Sequence, residues 1–167
     1  MINLFTKENL LYLLKELIWW AITGLLIYAL LYPITSKISY TYWLINSVFM
    51  FVALTYFRWC VTFRSLVFLH SNAVRFTIFT LNIILFFYLM QSQMEFIAKL
   101  DDFYTEDFGF PKVMIDDVAK RALFEYLNYA LILFGTTSLL MITAFQFRII
   151  ISYWQLYKYK ASRMLED

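Results

Sequence analysis

The chain has 167 residues and a formal net charge of +2; 62% of its residues are hydrophobic, 22% aromatic and 16% charged, and its mean hydropathy is +0.65. A water-soluble domain of this length cannot hide so many apolar side chains, because much of its surface stays exposed. The composition excludes one small soluble domain, predicts a chain dissolved in lipid, and leaves nucleic acid off the list of expected partners.

Four apolar runs have the roughly 20-residue length that crosses a hydrocarbon core of about 30 Å. Helix 1 is expected over 17–34, after Glu16, and is closed by Pro33 and the polar stretch TSKIS. Helix 2 spans 40–57 up to Arg58, and RWCVTFRSLVFLH reads on as a helical extension toward the turn at His70, Ser71 and Asn72. Helix 3 covers 76–94 between Arg75 and Glu95, turning polar at Gln91, Ser92 and Gln93. Helix 4 runs over 122–147 to Arg148, and IIISYWQLYKYKASR extends it along or beyond the membrane surface. No Gly/Ser/Pro-rich linker divides 1–167, so the fold class predicted is an all-α integral membrane protein, a single bundle of four transmembrane helices made of two hairpins, with cytoplasmic helix extensions after helices 2 and 4. With three Gly and two Pro, the helices are little interrupted, unlike the broken helices on which many transporters build a midplane site.

Lys and Arg at the span ends set the orientation. Lys7, Lys15, Arg58, Arg64, Arg75, Arg148, Lys158, Lys160 and Arg163 fall on one side; Lys37, Lys99, Lys112, Lys120 and Arg121 fall on the other. The excess places both termini in the cytoplasm and loop 97–121 outside, in a bacterial inner membrane or, as the alternative, an organellar inner membrane. Trp19, Trp20, Trp43, Trp59 and Trp154 lie near span ends, at the depth where amphipathic rings settle. Helix 1 lacks an A-x-A-like cleavage site, so it is expected to be retained rather than removed as a signal.

Loop 97–121 carries Asp101, Asp102, Glu106, Asp107, Asp116 and Asp117. Solvation accounts for them, and without a D-x-[DN]-x-[DN]-G spacing they make a poor calcium site. Pro111 with Asp116 and Asp117 predicts a short helix or an early start to helix 4. More pointed are Glu95, near the end of helix 3, and Glu125, near the start of helix 4. Gln91 lies four residues before the first and Asn128 three after the second, so each acid has an amide on its own helix face. Carboxyl groups near a membrane are costly, and desolvation raises their pKa, as an ion or proton relay requires. The competing reading is of interfacial acids that reach water, Lys99 or Arg121, or that contact a partner.

On the opposite side, TYFRWCVTFRSL (55–66) aligns with FQFRIIISYWQL (145–156), matching Phe57 with Phe147 and Arg58 with Arg148. Arg58 and Arg148, with Arg64 and Arg75 nearby, form a candidate cationic collar for lipid headgroups or a partner's acids, set against plain snorkelling to the interface. Cys60 has no second cysteine to pair with, and His70 has no His or Cys companion, so no metal site, cofactor or catalytic constellation is expected. Thr136, Thr137 and Ser138 after Gly135 read as small packing residues on helix 4, with a polar pore lining as the alternative. The expected function is that of a non-catalytic integral subunit, accessory or scaffold factor of a larger membrane complex, with lipids and other integral subunits or copies of itself as partners. The alternative is an oligomeric ion or proton channel, or a small-solute transporter, using Glu95 and Glu125.

Overall fold

A computed structural model describes residues 7–62, 72–100 and 116–164. All of the regular structure among them is helical: α1 (Lys7–Thr35), α2 (Trp43–Val61), α3 (Asn72–Leu100) and α4 (Asp117–Met164). Each contains a stretch long and apolar enough to cross a membrane: Leu13–Thr35, Trp43–Val61, Asn72–Ala98 and Arg121–Gln155.

The helices run longer than their apolar cores. Helix 1 starts at Lys7, ten residues ahead of the expected 17, because the preceding KENLLYLLKE is made of good helix formers with no breaker. Pro33 lies inside the last turn rather than beyond it; the helix ends two residues later, where the amides of Lys37 and Ile38 both donate to the Ile34 carbonyl at 3.0 Å. Helix 4 starts at Asp117, as the acidic pair predicts, and continues unbroken past Arg148 to Met164. Helix α2 ends at Val61, and the Thr62 amide caps it by donating to the Arg58 carbonyl at 2.9 Å. The rest of the extension expected after helix 2, with Arg64 and His70, and most of the acidic loop, with Pro111, lie outside the described residues.

Every helix is apolar almost all round, and on α1, α3 and α4 burial picks one stripe. On α1 the buried side chains are Thr23, Ile27, Leu31 and Ile34; on α3 they are Asn82, Leu89, Gln93 and Phe96. On α4 they run through Leu123, Leu127, Leu131, Ser138, Ile142, Phe145 and Ile149, steps of three, four and seven residues that keep one face inward. Helix α2 is buried on more than one face, through Asn46, Phe49, Met50, Val52, Ala53, Thr55 and Tyr56, which makes it the centre of the packing. Its most extensive neighbour is α4; α3 packs on α4, and α1 on α2.

Two apolar clusters stack along the long axis. One joins Ile27, Leu31 and Ile34 to Tyr40, Met50, Phe96, Leu123, Leu127 and Leu131. The other joins Phe49, Val52 and Tyr56 to Leu89, Ile142, Phe145 and Ile149. Contacts between them fix the directions. Tyr42 meets Phe96 edge-on at 5.9 Å while Tyr56 bonds Asn82, so α2 and α3 are antiparallel. Gln146 reaches the Phe79 carbonyl at 2.8 Å and Tyr153 the Asn72 carbonyl at 3.0 Å, so α3 and α4 are antiparallel too. The start of α1, the end of α2, the start of α3 and the far part of α4 therefore share one end of the molecule.

Candidate functional site

The two glutamates stay on the surface. Glu95 and Gln91 are both exposed on α3, and the Gln91 amide donates to Glu95 Oε1 at 3.2 Å, the i,i+4 contact that the spacing predicts. Glu125 is exposed on α4 and Asn128 half-buried.

The arginines divide. Arg58 is held inside the chain by Glu16: its Nη1 donates to Glu16 Oε1 at 2.9 Å and its Nη2 to Glu16 Oε2, a fork that ties the start of α1 to the end of α2. Its guanidinium carbon also lies 5.8 Å from the Trp19 ring centroid, within cation–π range. Only 15% of the Arg58 side chain and 25% of the Glu16 side chain are accessible. Arg75 sits 5.8 Å from the Tyr153 ring. Arg148 is exposed and lies within electrostatic reach of Cys60. Arg58 is thus neutralised by Glu16, while its aligned counterpart Arg148 is exposed.

What sequence reading missed is a set of carboxamides in the interior. Asn46 is fully buried, and its Nδ2 donates to the Tyr40 hydroxyl while its Oδ1 has no partner. Asn82 is 2% accessible; it accepts from the Tyr56 hydroxyl, and its Nδ2 is unpartnered. Gln146 donates to the Phe79 carbonyl and leaves Oε1 unpartnered. Gln93 lies against Gly135, where a Cβ would come within 2.9 Å of its carboxamide carbon. The small residue thus lets α3 and α4 close together, as expected for that stretch of α4. The neighbouring hydroxyls turn back on their own helix: Thr136 donates to Ile132 and Ser138 to Gly135, at 2.8 and 2.7 Å. The signal for the amides was Asn and Gln within otherwise apolar runs, a pattern that is costly in lipid unless it is satisfied.

Asn82 and Gln146 also line one groove of about 290 Å³ between α3 and α4, with Ile83, Phe86, Ile142, Thr143, Phe147 and Ile150. Its surface is apolar, and the unpartnered atoms of Asn82 and Gln146 are buried beneath it. Among the described residues no three His, Cys, Asp or Glu side chains are grouped to hold a metal ion. In comparisons with protein families, curated proteins and solved structures, nothing matches this chain.

Proposed function

We propose that the chain crosses a membrane four times, with both termini in the cytoplasm of a bacterial cell, and serves as a non-catalytic scaffold or accessory subunit of a larger membrane complex. The observation that carries the reading is where it exposes tyrosine. Tyr28 and Tyr88 are 66% and 57% accessible, four and three residues from the middle of the Leu13–Thr35 and Asn72–Ala98 stretches. At about 1.5 Å per residue both rings hang near the centre of a core of about 30 Å, and among the described residues neither hydroxyl has a hydrogen-bond partner. Lipid tails offer such a hydroxyl nothing, whereas a neighbouring polypeptide can bond it and cover the ring. Trp19, Trp20, Trp43 and Trp154, all exposed, suit the two ends of the spans.

Purification in mild detergent tests this reading. A stoichiometric foreign membrane protein is the expected result, and its release by Tyr28→Leu with Tyr88→Leu would place the contact on these helices. A preparation containing this chain alone, with intrinsic ion flux after reconstitution, would overturn the scaffold reading.

A further inference from the structure

Within the spanning arrangement just proposed, on which this inference rests, α1 is packed along only its second half. From Thr23 onward it buries one side chain per turn, at Thr23, Ile27, Leu31 and Ile34, and Tyr126 of α4 ties it down by donating to the Leu30 carbonyl at 2.8 Å. Before Thr23 the pattern stops. Among the described side chains from residue 10 to residue 22, every one is exposed except Glu16, which is half-buried; the stretch makes roughly three and a half turns, so no face of it is continuously buried. Lipid tails are as apolar as leucine, and they give Leu11, Leu14 or Ile18 no reason to leave lipid for another helix. Among the described residues this half is held at one level: the Glu16 carboxylate accepts from both Nη atoms of Arg58, and the Trp19 ring lies 5.8 Å from the same guanidinium.

The junction between the two halves is where the helix bends most readily. The Thr23 hydroxyl donates to the Trp19 carbonyl at 2.8 Å, a back-bond of the kind that bends helices. Gly24 follows, with nothing within 4 Å of where a Cβ would stand, so the chain can turn there without collision. We propose that residues 7–22 form a hinged arm, latched shut by Glu16 on Arg58 and free to swing about Thr23 and Gly24 when the latch is released. Glu16 stands seven residues before Thr23, about 10 Å of helix, so the pair acts on the joint with leverage. Release parts α1 from the end of α2 and leaves the Arg58 guanidinium without its counter-charge, and that cost keeps the resting chain closed.

The test uses the full chain with Cys60→Ser in liposomes and measures distances between paired spin labels. One pair, Leu14→Cys with Val61→Cys, joins the arm to the end of α2; the other, Tyr32→Cys with Leu140→Cys, lies within the packed body, and all four positions are exposed. With Glu16 in place the arm pair should give one narrow distribution. Glu16→Ala should broaden it and lengthen its mean by roughly 5–10 Å, the displacement of a point about 14 Å from the hinge by a swing of about 20–40°, while the body pair stays unchanged. An unmoved arm pair, or equal broadening of both pairs, would overturn the proposal. Adding Gly24→Ala to Glu16→Ala should narrow the distribution again, because alanine stiffens the helix at the joint; no narrowing would mean that the joint is elsewhere, and would overturn it too. Should Glu16→Ala fail to fold with its guanidinium uncompensated, Glu16→Ala with Arg58→Gln leaves no charge unpaired and should open the arm to the same extent, and a closed arm there would refute the latch. Because the purified chain alone carries these labels, a missing foreign protein would sink the scaffold reading and leave the latch standing, whereas an immobile arm would sink the latch alone.

Discussion

Two glycines show how much a single position depends on what faces it. An added Cβ at Gly24 meets nothing within 4 Å, while at Gly135 it runs into Gln93. Gly24→Ala should therefore stabilise α1 by about 0.5–1 kcal/mol through helix propensity. Gly135→Leu should destabilise by about 1–3 kcal/mol, because the α3–α4 contact has no room for a branched side chain. Unfolding titrations in mixed micelles read both signs, and equal effects would disprove the close approach. The Arg58–Glu16 fork makes a second prediction. Glu16→Gln leaves a largely covered guanidinium without its counter-charge, so the single variant should be less stable than the Glu16→Gln/Arg58→Gln double variant, with a coupling of about 1–3 kcal/mol in a double-mutant cycle. Additive losses would mean that the pair is incidental.

At the scale of the element, α4 is the unusual member. Its 48 residues span about 72 Å at 1.5 Å each, more than twice a hydrocarbon core, so a crossing α4 would extend well beyond that core. Residues 156–164 lie beyond Gln155, the end of its apolar stretch, and Tyr157 there is 73% accessible. Spin labels at Leu140→Cys and Tyr157→Cys, both on Cys60→Ser, should separate: the first accessible to oxygen, as in lipid, the second to a water-soluble nickel complex. Lipid-like accessibility at both would mean that α4 lies along the surface. The early part of α1 is built similarly, with Leu10, Leu11, Leu13 and Leu14 all more than half exposed, and among the described residues Glu16 and Trp19, both against Arg58, draw it to α2. Farther along, Tyr126 pins α4 to α1 by donating to the Leu30 carbonyl at 2.8 Å.

For the whole molecule, the proposed four crossings would return the chain to the side on which it started, which the basic excess assigns to the cytoplasm. A cysteine at Thr105 on a Cys60→Ser background should react with an impermeant maleimide in intact cells; labelling only after lysis would reverse the topology. The glutamates bear on function at the same scale. Because Glu95 and Glu125 are both exposed, Glu95→Gln with Glu125→Gln should leave folding and assembly close to wild type. Ion flux in wild-type proteoliposomes that the double variant lost would replace the scaffold reading with conduction through these acids.

Length, hydropathy and the distribution of Lys and Arg determined the number of helices, their approximate spans and the end of the molecule at which Arg58, Arg75 and Arg148 gather. Those are local sums over a window, and lipid rewards them wherever the rest of the chain goes. Helix α4 even revealed its early start, since Asp116 and Asp117 favour a helix N-terminus whatever packs beside it. The inward faces were not legible, because helices apolar all round carry no periodic contrast between core and lipid sides. Glu16 lies forty-two residues from Arg58, and Asn82 twenty-six from Tyr56; only the packed helices bring them within reach. The same packing put Glu95 and Glu125 at the surface and Asn82 and Gln146 over one groove. The chemistry of a polar group in a membrane is set by what lies across from it, and that is a property of the tertiary fold.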